Sequence, residues 1–495
     1  MGGERDAPNP VNLTEFMDST SWTLQQKLVL ALGALAFMMD GCANQILGVA
    51  IPAILAEWKI SKAAMAPVAA IGLAGITFGA ICGGLIADRI GRRWTLIMAL
   101  LLFGISTMGA VLAPDPFTLA IVRFFDGLGL GAAIPSGAAM LTETSPPRRR
   151  AIAIAIGMAF IPFGGFLAGV LGGLMLPVFG WRSLFLLVGA AAIVTSLLFV
   201  LCMPESPFFL ALRPEREREL NKVMRRLKGP IASSSRFFDV APTYERRKFS
   251  ALFAGRLRLE TISVWLGFFF CLLATYSLFS WLPTLLHGRG FGVASTSFIM
   301  GSFNGGATFG GLLSGLLIQR HGVRLPLMAM TAIASGIALL LCALPLDPAF
   351  PAPILLIFTL LGLLLAGVHN GFYTLSALIY PSELRATGIG AAAAFGRVGA
   401  IASSFTSVIA MSFEGGAAYF GLIALALIAA VWSVKMVKLR RARRCSRAEA
   451  ICQRSELIGE DIAERRIPNA DLILIDKDQR GAVDQISGPS INNGP

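Results

Sequence analysis

Residues that can carry charge lie inside long apolar stretches of the sequence, among them Asp40, Arg123, His369 and Arg397. A charged group within hydrocarbon is costly unless it meets a partner or water, so each is a candidate functional residue. A carboxylate such as Asp40 can gain and lose a proton as its surroundings change, and the imidazole of His369 can relay one. Arg123 and Arg397 stay charged and can hold a carboxylate. For each residue a purely structural role remains the alternative.

We therefore assign Asp40 and His369 to proton coupling. The candidate substrate-binding residues are Asn44, Arg123, Tyr373 and Arg397. Asp126 lies three residues after Arg123, on the same face of a helix, and is expected to balance its charge locally.

The elements that must position these residues are membrane-spanning helices. Of the 495 residues, 55% are hydrophobic and only 14% charged, whereas ordinary soluble domains carry about 25% charge. Windows of about twenty residues almost free of charge recur from Leu28 to Lys435, and a bilayer core requires about that length of each helix. Twelve spans are predicted, at residues 28–54, 66–87, 95–113, 116–142, 151–176, 183–203, 261–286, 295–318, 325–345, 352–380, 387–412 and 416–437.

The spans fall into two groups of six, which fixes the predicted organisation. The predicted domains are an N-terminal arm (1–27), a first six-helix half (28–203), a central loop (204–260), a second half (261–437) and a disordered tail (438–495). Basic residues concentrate in the loops on one side, in the central loop and in the tail, and the positive-inside rule makes that side cytoplasmic. We expect a multi-pass protein of the plasma (inner) membrane with both termini in the cytoplasm.

One short loop, between the second and third spans, carries a dense set of glycines and charges. It has the pattern Gly-x3-Asp-Arg-x-Gly-Arg-Arg, and we predict that it forms a cytoplasmic gate with an acid at the inner end of the fourth span. The predicted gate residues are Gly84, Asp88, Arg89, Gly91, Arg92, Arg93 and Glu143. A matching pattern runs from Gly315 to Arg324 at the same place in the second half, with Gln319 in place of the acid. The repeat indicates an internal duplication.

Composition and motifs argue against several classes of function. The net charge of +13 comes largely from the loops and the tail, which suits membrane topology and contact with anionic lipid. No nucleic-acid-binding motif accompanies it, and the seven cysteines show no metal-ligand spacing. The sequence also contains no nucleotide-binding loop and no activated nucleophile. We expect no enzyme activity, no cofactor, no metal and no nucleic-acid partner, and a protein that functions as a monomer among membrane lipids.

The seventh span carries a set of aromatic residues. Its members are Phe268, Phe269, Phe270, Tyr276, Phe279 and Trp281. Such a set can stack an aromatic substrate. For most members, and for Trp281 in particular, contact with lipid or a place in the interfacial belt is the stronger expectation.

Several features together resemble the major facilitator superfamily. They are the twelve spans, the repeated loop, Arg123 followed by glycines, and Pro204-Glu205-Ser206-Pro207 after the sixth span. A second set resembles the aromatic acid:proton symporter family within it: Asp40-Gly41, the Arg-x3-Gly-x-Gly motif from Arg123, Glu143-x2-Pro146 before three arginines, and Arg397. The resemblance implies an all-α fold of twelve transmembrane helices in two pseudo-symmetric halves. It also implies import of a small organic acid, an aromatic carboxylate, together with protons by alternating access.

The match has two departures. The second acid that the family has in the first span is absent, because Asp40-Gly41-Cys42 is followed by Ala43, and Gln319 replaces the acid of the second-half loop. The first departure bears on substrate and coupling, and the second bears on gating. Three alternatives stay open: a sugar or polyol porter, which the motif after the sixth span also resembles; a drug:proton antiporter; and a membrane solute sensor.

Overall fold

The structure is a computed structural model that describes residues 10–12, 22–228, 236–238, 249–255, 257–413 and 416–437. These residues belong to one compact unit, Met1–Lys438, and a second unit, Leu439–Pro495, lies outside them. The predicted tail (438–495) and most of the predicted arm (1–27) therefore lie outside the described residues.

Long helices joined by short turns make up nearly all of the described chain, as the apolar runs predict. The long helices are α1 (Leu24–Trp58), α2 (Lys62–Ile90), α3 (Arg92–Gly109), α4 (Pro116–Thr144), α5 (Arg150–Cys202), α8 (Leu257–His287), α9 (Val293–His321), α10 (Arg324–Ala343), α11 (Pro351–Ile379), α12 (Ser382–Ser412) and α13 (Ala417–Met436). Two short helices follow α5, namely α6 (Pro207–Ala211) and α7 (Glu217–Lys228).

Helix α5 contains two of the predicted spans. Gly180 interrupts it with a φ of 72°, a conformation that glycine adopts without steric cost. Within the described chain, ten stretches are long and apolar enough to cross a membrane. That set joins the two parts of α5 and leaves out α9, which is rich in glycine and polar residues. When the two parts of α5 are counted separately and α9 is included, the twelve predicted spans are present. Their bounds lie within five residues of the prediction.

The fold consists of two six-helix halves. In the first half α1 packs on α5 and α2 packs on α4, whereas in the second half α9 packs on α11 and α8 packs on α12. The halves meet where α5 contacts α9, α2 contacts α12 and α1 contacts α8. The predicted all-α class and twelve-helix arrangement are confirmed, and the exact domain boundaries stay a prediction.

Close backbone packing accounts for the glycines that follow Arg123. Gly127 and Gly131 of α4 lie against the carbonyl oxygens of Gly72 and Ile76 on α2, where a Cβ atom would clash. Small residues at this spacing let two membrane helices approach closely. The motif therefore fixes where Arg123 enters the bundle.

The expectation that Trp281 faces lipid or the interface is wrong, because its exposed fraction is 0%. Phe268 is also buried. The reason is the position of α8, which contacts α1 in the first half and α9, α11, α12 and α13 in the second. An apolar helix surrounded in this way directs its aromatic side chains into protein.

The predicted central loop (204–260) is partly structured. The apolar face of α7, including Leu220, Met224 and Leu227, packs against Phe209 of α6. Strand β1 (Pro10–Asn12) pairs in parallel with β2 (Arg236–Phe238). We call the end of the bundle where α2 meets α3 the arginine end, and the other end, where α1 and α8 terminate, the opposite end.

Candidate functional site

The centre of the bundle brings together charged residues from both halves. Asp40 lies midway along α1 and is buried. Arg397 lies midway along α12 and is partly buried, and Asp40 is within its electrostatic reach. In the described part of the chain, the buried Nη1 of Arg397 has no hydrogen-bond partner. A buried guanidinium N–H without a hydrogen-bond partner favours a bound anion.

Aromatic and polar side chains surround Arg397. His369 and Tyr373 of α11 lie within its electrostatic reach, with their ring centroids 5.2 Å apart. The ring of Phe268 stands edge-on to Tyr373 at 5.0 Å. Tyr373 is 38% exposed. These side chains form an amphipathic surface beside the arginine, suited to a flat ring that bears a carboxylate.

Tyr276 is a member of this site that the sequence analysis did not select. It lies on α8, close to Asn44, and within electrostatic reach of Arg397 and Asp40. Its ring meets Phe279 edge-on at 5.6 Å. The hydroxyl group of Tyr276 within the apolar seventh span could have marked it as a binding residue. The prediction that most of the aromatic set contacts lipid pointed the other way.

Arg123 also lies near Asp40, but it has its own acid partner. Its Nη1 forms an ion pair with Oδ2 of Asp126 at 2.5 Å, and its Nη2 donates to the carbonyl of Ala43 at 3.5 Å. Asp126 also accepts a hydrogen bond of 2.8 Å from the Thr107 hydroxyl. The predicted local balance between Asp126 and Arg123 is confirmed, while a substrate-binding role for Arg123 stays a prediction.

Three of the predicted gate residues, Asp88, Arg92 and Glu143, form a network at the arginine end. Arg92 pairs with Asp88 at 3.2 Å and with Glu143 at 3.3 Å, and it donates to the carbonyl of Ala87 at 2.9 Å. Glu143 also accepts a hydrogen bond from the hydroxyl of Ser206. Gly84 has open space beside its Cα.

Glu205, which in the sequence stands out only as part of the motif after the sixth span, completes this network. Its Oε1 accepts a hydrogen bond of 3.0 Å from the backbone N–H of Arg93, at the first turn of α3. Gly91 has a φ of 105°, and a Cβ atom there would strike the Glu205 carboxylate. Burial raises the pKa of Glu205, while the N–H groups of Arg93 and Ser206 act against that rise.

The ring of Phe209, a short distance further along the chain, lies beneath three guanidinium groups of the arginine end, including that of Arg216 at 5.7 Å. The guanidinium of Arg213 is 3.9 Å from its centroid and that of Arg92 is 5.6 Å away. Arg213 also donates to the carbonyl of Arg89. The contacts described here for Asp88, Arg92 and Glu143 thus join α2, α3, α4 and the segment after α5.

The described ranges contain no group of three or more His, Cys, Asp or Glu residues able to hold a metal ion. The side chains at the centre are suited to binding an organic anion through charge, hydrogen bonds and aromatic contact.

The sequence matches a known family of proteins. Residues 33–404 and 264–450 match the profile of the Major Facilitator Superfamily. The chain belongs to this superfamily. It is an integral, multi-pass membrane protein with a transporter fold, and it is not an enzyme.

Several superfamily members with named substrates are similar to this chain. A gallate transporter of Pseudomonas putida is 29% identical over 86% of this chain and 94% of its own length. A 4-hydroxybenzoate transporter of the same species is 30% identical over 80% and 88%. The 3-(3-hydroxy-phenyl)propionate transporter of Escherichia coli (strain K12) is 31% identical over 76% and 85%.

Solved structures of superfamily members show the same fold. The inward-open xylose transporter XylE of E. coli has a TM-score of 0.68 and 18% identity, covering 86% of this chain and 99% of that one. A bacterial homologue of the human lysosomal transporter Spinster, in an inward-facing and unoccupied conformation, has a TM-score of 0.63 and 18% identity, covering 84% and 95%.

Proposed function

We propose that this protein imports an aromatic carboxylate together with protons, by alternating access of a central site to the two sides of the membrane. The observation that carries the proposal is the buried Nη1 of Arg397, which lacks a hydrogen-bond partner among the described residues and lies near Asp40 and aromatic rings. The names of three similar transporters, which refer to gallate, 4-hydroxybenzoate and a hydroxyphenylpropionate, support the substrate class.

Arg397 binds the substrate carboxylate in this mechanism. A guanidinium offers two parallel N–H groups to a carboxylate, and such pairs are strongest where water is excluded. The ring of the substrate lies against Tyr373 and His369, which the buried Phe268 supports from behind, with Tyr276 and Asn44 on the side of the first half. Because these side chains come from α1, α8, α11 and α12, movement of the halves changes the site.

Asp40 supplies the coupling to protons. In the empty site its carboxylate interacts with Arg397 across the two halves. When the substrate carboxylate takes over Arg397, a charged Asp40 would face a second anion, so the loaded site favours its protonation. The site then holds substrate and proton together, and both leave when it opens to the other side. His369, beside Arg397, is a second proton-coupling residue, and Arg123 stays a candidate substrate-binding residue.

Membrane orientation and partners complete the proposal. The arginine end faces the cytoplasm of a plasma (inner) membrane, which leaves both termini in the cytoplasm. Exposed cations on α7, namely Arg218, Lys222, Arg225 and Arg226, contact anionic lipid headgroups there. The gate residues act with this surface at the cytoplasmic end, and the protein transports as a monomer.

Uptake in cells that express the chain tests the proposal. Radiolabelled 4-hydroxybenzoate should accumulate, a protonophore should abolish the accumulation, and unlabelled gallate should compete. Unlabelled xylose is the control solute and should not compete. Absence of uptake of any aromatic acid, with the protein verified in the membrane, would contradict the substrate class. Accumulation that survives the protonophore would contradict proton coupling alone.

A further inference from the structure

Two buried amide side chains connect the halves directly. Gln45 lies on α1, and its Nε2 donates to the carbonyl of Phe279 on α8 at 3.1 Å. Asn304 lies on α9, and its Nδ2 donates to Oε1 of Gln45 at 3.3 Å and to the carbonyl of Met300 at 3.0 Å. Gln45 is 3% exposed and Asn304 is 2% exposed. One side chain of the first half is thus bonded to two helices of the second.

The surrounding residues hold these amides in a buried, tightly packed position. Gly165 of α5 lies directly beneath Asn304, and a Cβ atom at Gly165 would stand 2.6 Å from Cγ of the amide. The rings of Phe279 and Phe303 meet edge-on at 5.6 Å beside the bridge. Amide groups in such a place are stable only while their hydrogen bonds are made.

The bridge lies beyond the centre of the bundle, toward the opposite end. Gln45 is one turn and a residue past Asp40 on α1, in the direction of Trp58. Further along, Gly172 of α5 packs against the side chain of Ser297 and Gly173 packs against Phe298. The first half and the second half are therefore in close contact from the bridge outward.

We propose that Gln45 and Asn304 form a latch that holds the opposite end closed. The latch is released when the halves rock apart, because Gln45 and Asn304 then separate and water takes over their hydrogen bonds. The latch rests on the alternating access in the proposed function, but it does not depend on the identity of the substrate or of the coupling ion. The latch sets the population of the two states, since its bonds form in one of them only.

Distances between spin labels at the opposite end test the latch. Ser61 and His287 are exposed and lie at that end, one in each half, so cysteines placed there in a cysteine-free background report its opening. Gln45→Leu keeps the size of the side chain and removes both bonds. Loss of such bonds should raise the ratio of open to closed protein about threefold to tenfold.

Gln26→Leu is the matched control. The Nε2 of Gln26 donates to the carbonyl of Thr144 at 3.1 Å in a buried position, but that bond joins α1 to α4 within one half. This variant should leave the distance distribution unchanged. Of the two latch bonds that join the halves, Asn304→Ala removes only the one that Asn304 donates to Gln45, so it should give a smaller shift in the same direction as Gln45→Leu. It replaces Gln45→Leu in the experiment if that variant does not fold.

The outcomes separate the latch from the transport proposal. A distance distribution that Gln45→Leu and Asn304→Ala leave like that of Gln26→Leu would overturn the latch, whatever the protein transports. A shift toward open protein in the absence of aromatic acid uptake would support the latch and contradict the proposed substrate.

Discussion

The two halves each hold an arginine deep in the membrane, and the two differ in their partners. Arg123 in the first half is 5% exposed and carries its own acid, Asp126, at 2.5 Å. Buried nitrogens of both arginines lack a hydrogen bond to any described residue, but the acid neighbour of Arg397, Asp40, belongs to the other half.

This difference separates two uses of the same residue type. An arginine with a local acid is neutralised in every conformation, because both groups lie on one helix and move together. An arginine whose acid lies across the interface of the halves depends on their relative position and on any anion that binds between them. We therefore expect Arg397 to be sensitive to substrate and conformation, and Arg123 to be sensitive mainly to folding.

The largest effect should follow removal of the charge of Arg397. Arg397→Gln should lower the ratio of Vmax to KM for 4-hydroxybenzoate uptake about thirtyfold or more, because truncating one side of a buried charged contact costs about 2–5 kcal/mol. Arg397→Lys keeps the charge but not the two parallel N–H groups, and it should recover only part of the activity. Wild-type uptake by Arg397→Gln would show that Arg397 does not bind the substrate carboxylate and does not differ from Arg123 in this way.

Arg123→Gln should act on stability instead. It leaves Asp126 as a buried acid with no counter-charge, and breaking a buried pair in this way costs about 3–5 kcal/mol. The measurement is the thermal unfolding temperature in detergent. The double variant Arg123→Gln/Asp126→Asn should unfold at a higher temperature than Arg123→Gln, because it removes the unpaired acid. If the double variant is no better than the single one, Arg123 acts outside the pair.

Asp40→Asn should separate binding from coupling. The amide cannot take up a proton, so exchange of labelled for unlabelled 4-hydroxybenzoate across the membrane should continue while accumulation against a gradient falls about tenfold or more. Proton movement per substrate, followed with a pH-sensitive dye in vesicles, is the direct readout. His369→Gln is the companion variant, and retained accumulation there would leave Asp40 as the coupling residue. Accumulation by Asp40→Asn at the wild-type level would contradict the coupling role.

The sequence allowed prediction of features that depend on one helix at a time. The twelve spans follow from length and apolar composition, and Asp40, His369 and Arg397 stand out because charge is rare in such spans. Asp126 was assignable to Arg123 because residues three apart share a helix face.

Features that depend on how helices pack against each other could not be read in this way. Trp281 is buried because α8 is surrounded by protein, which an apolar helix does not reveal from its own composition. Gln45 and Asn304 are 259 positions apart in the sequence. Both side chains are uncharged, so neither stands out within an apolar span. The contact of Glu205 with Gly91 and Arg93 likewise depends on where α6 returns beneath α3.

The smallest effect concerns Glu205, a buried acid that caps α3 at the arginine end. Its pKa is raised in the folded protein above the ordinary value of 4.5, so the folded state binds protons more readily than the unfolded state. The contribution of this group to stability should therefore fall as the pH rises from about 4.5 through the folded pKa, and stay constant above it. Glu205→Gln keeps an oxygen to accept from the Arg93 N–H and cannot titrate. Its free energy of unfolding at pH 7 should differ from wild type by less than about 1.5 kcal/mol, and its unfolding temperature should fall less steeply across this range. An identical pH dependence in wild type and Glu205→Gln would show that folding does not shift the pKa of Glu205.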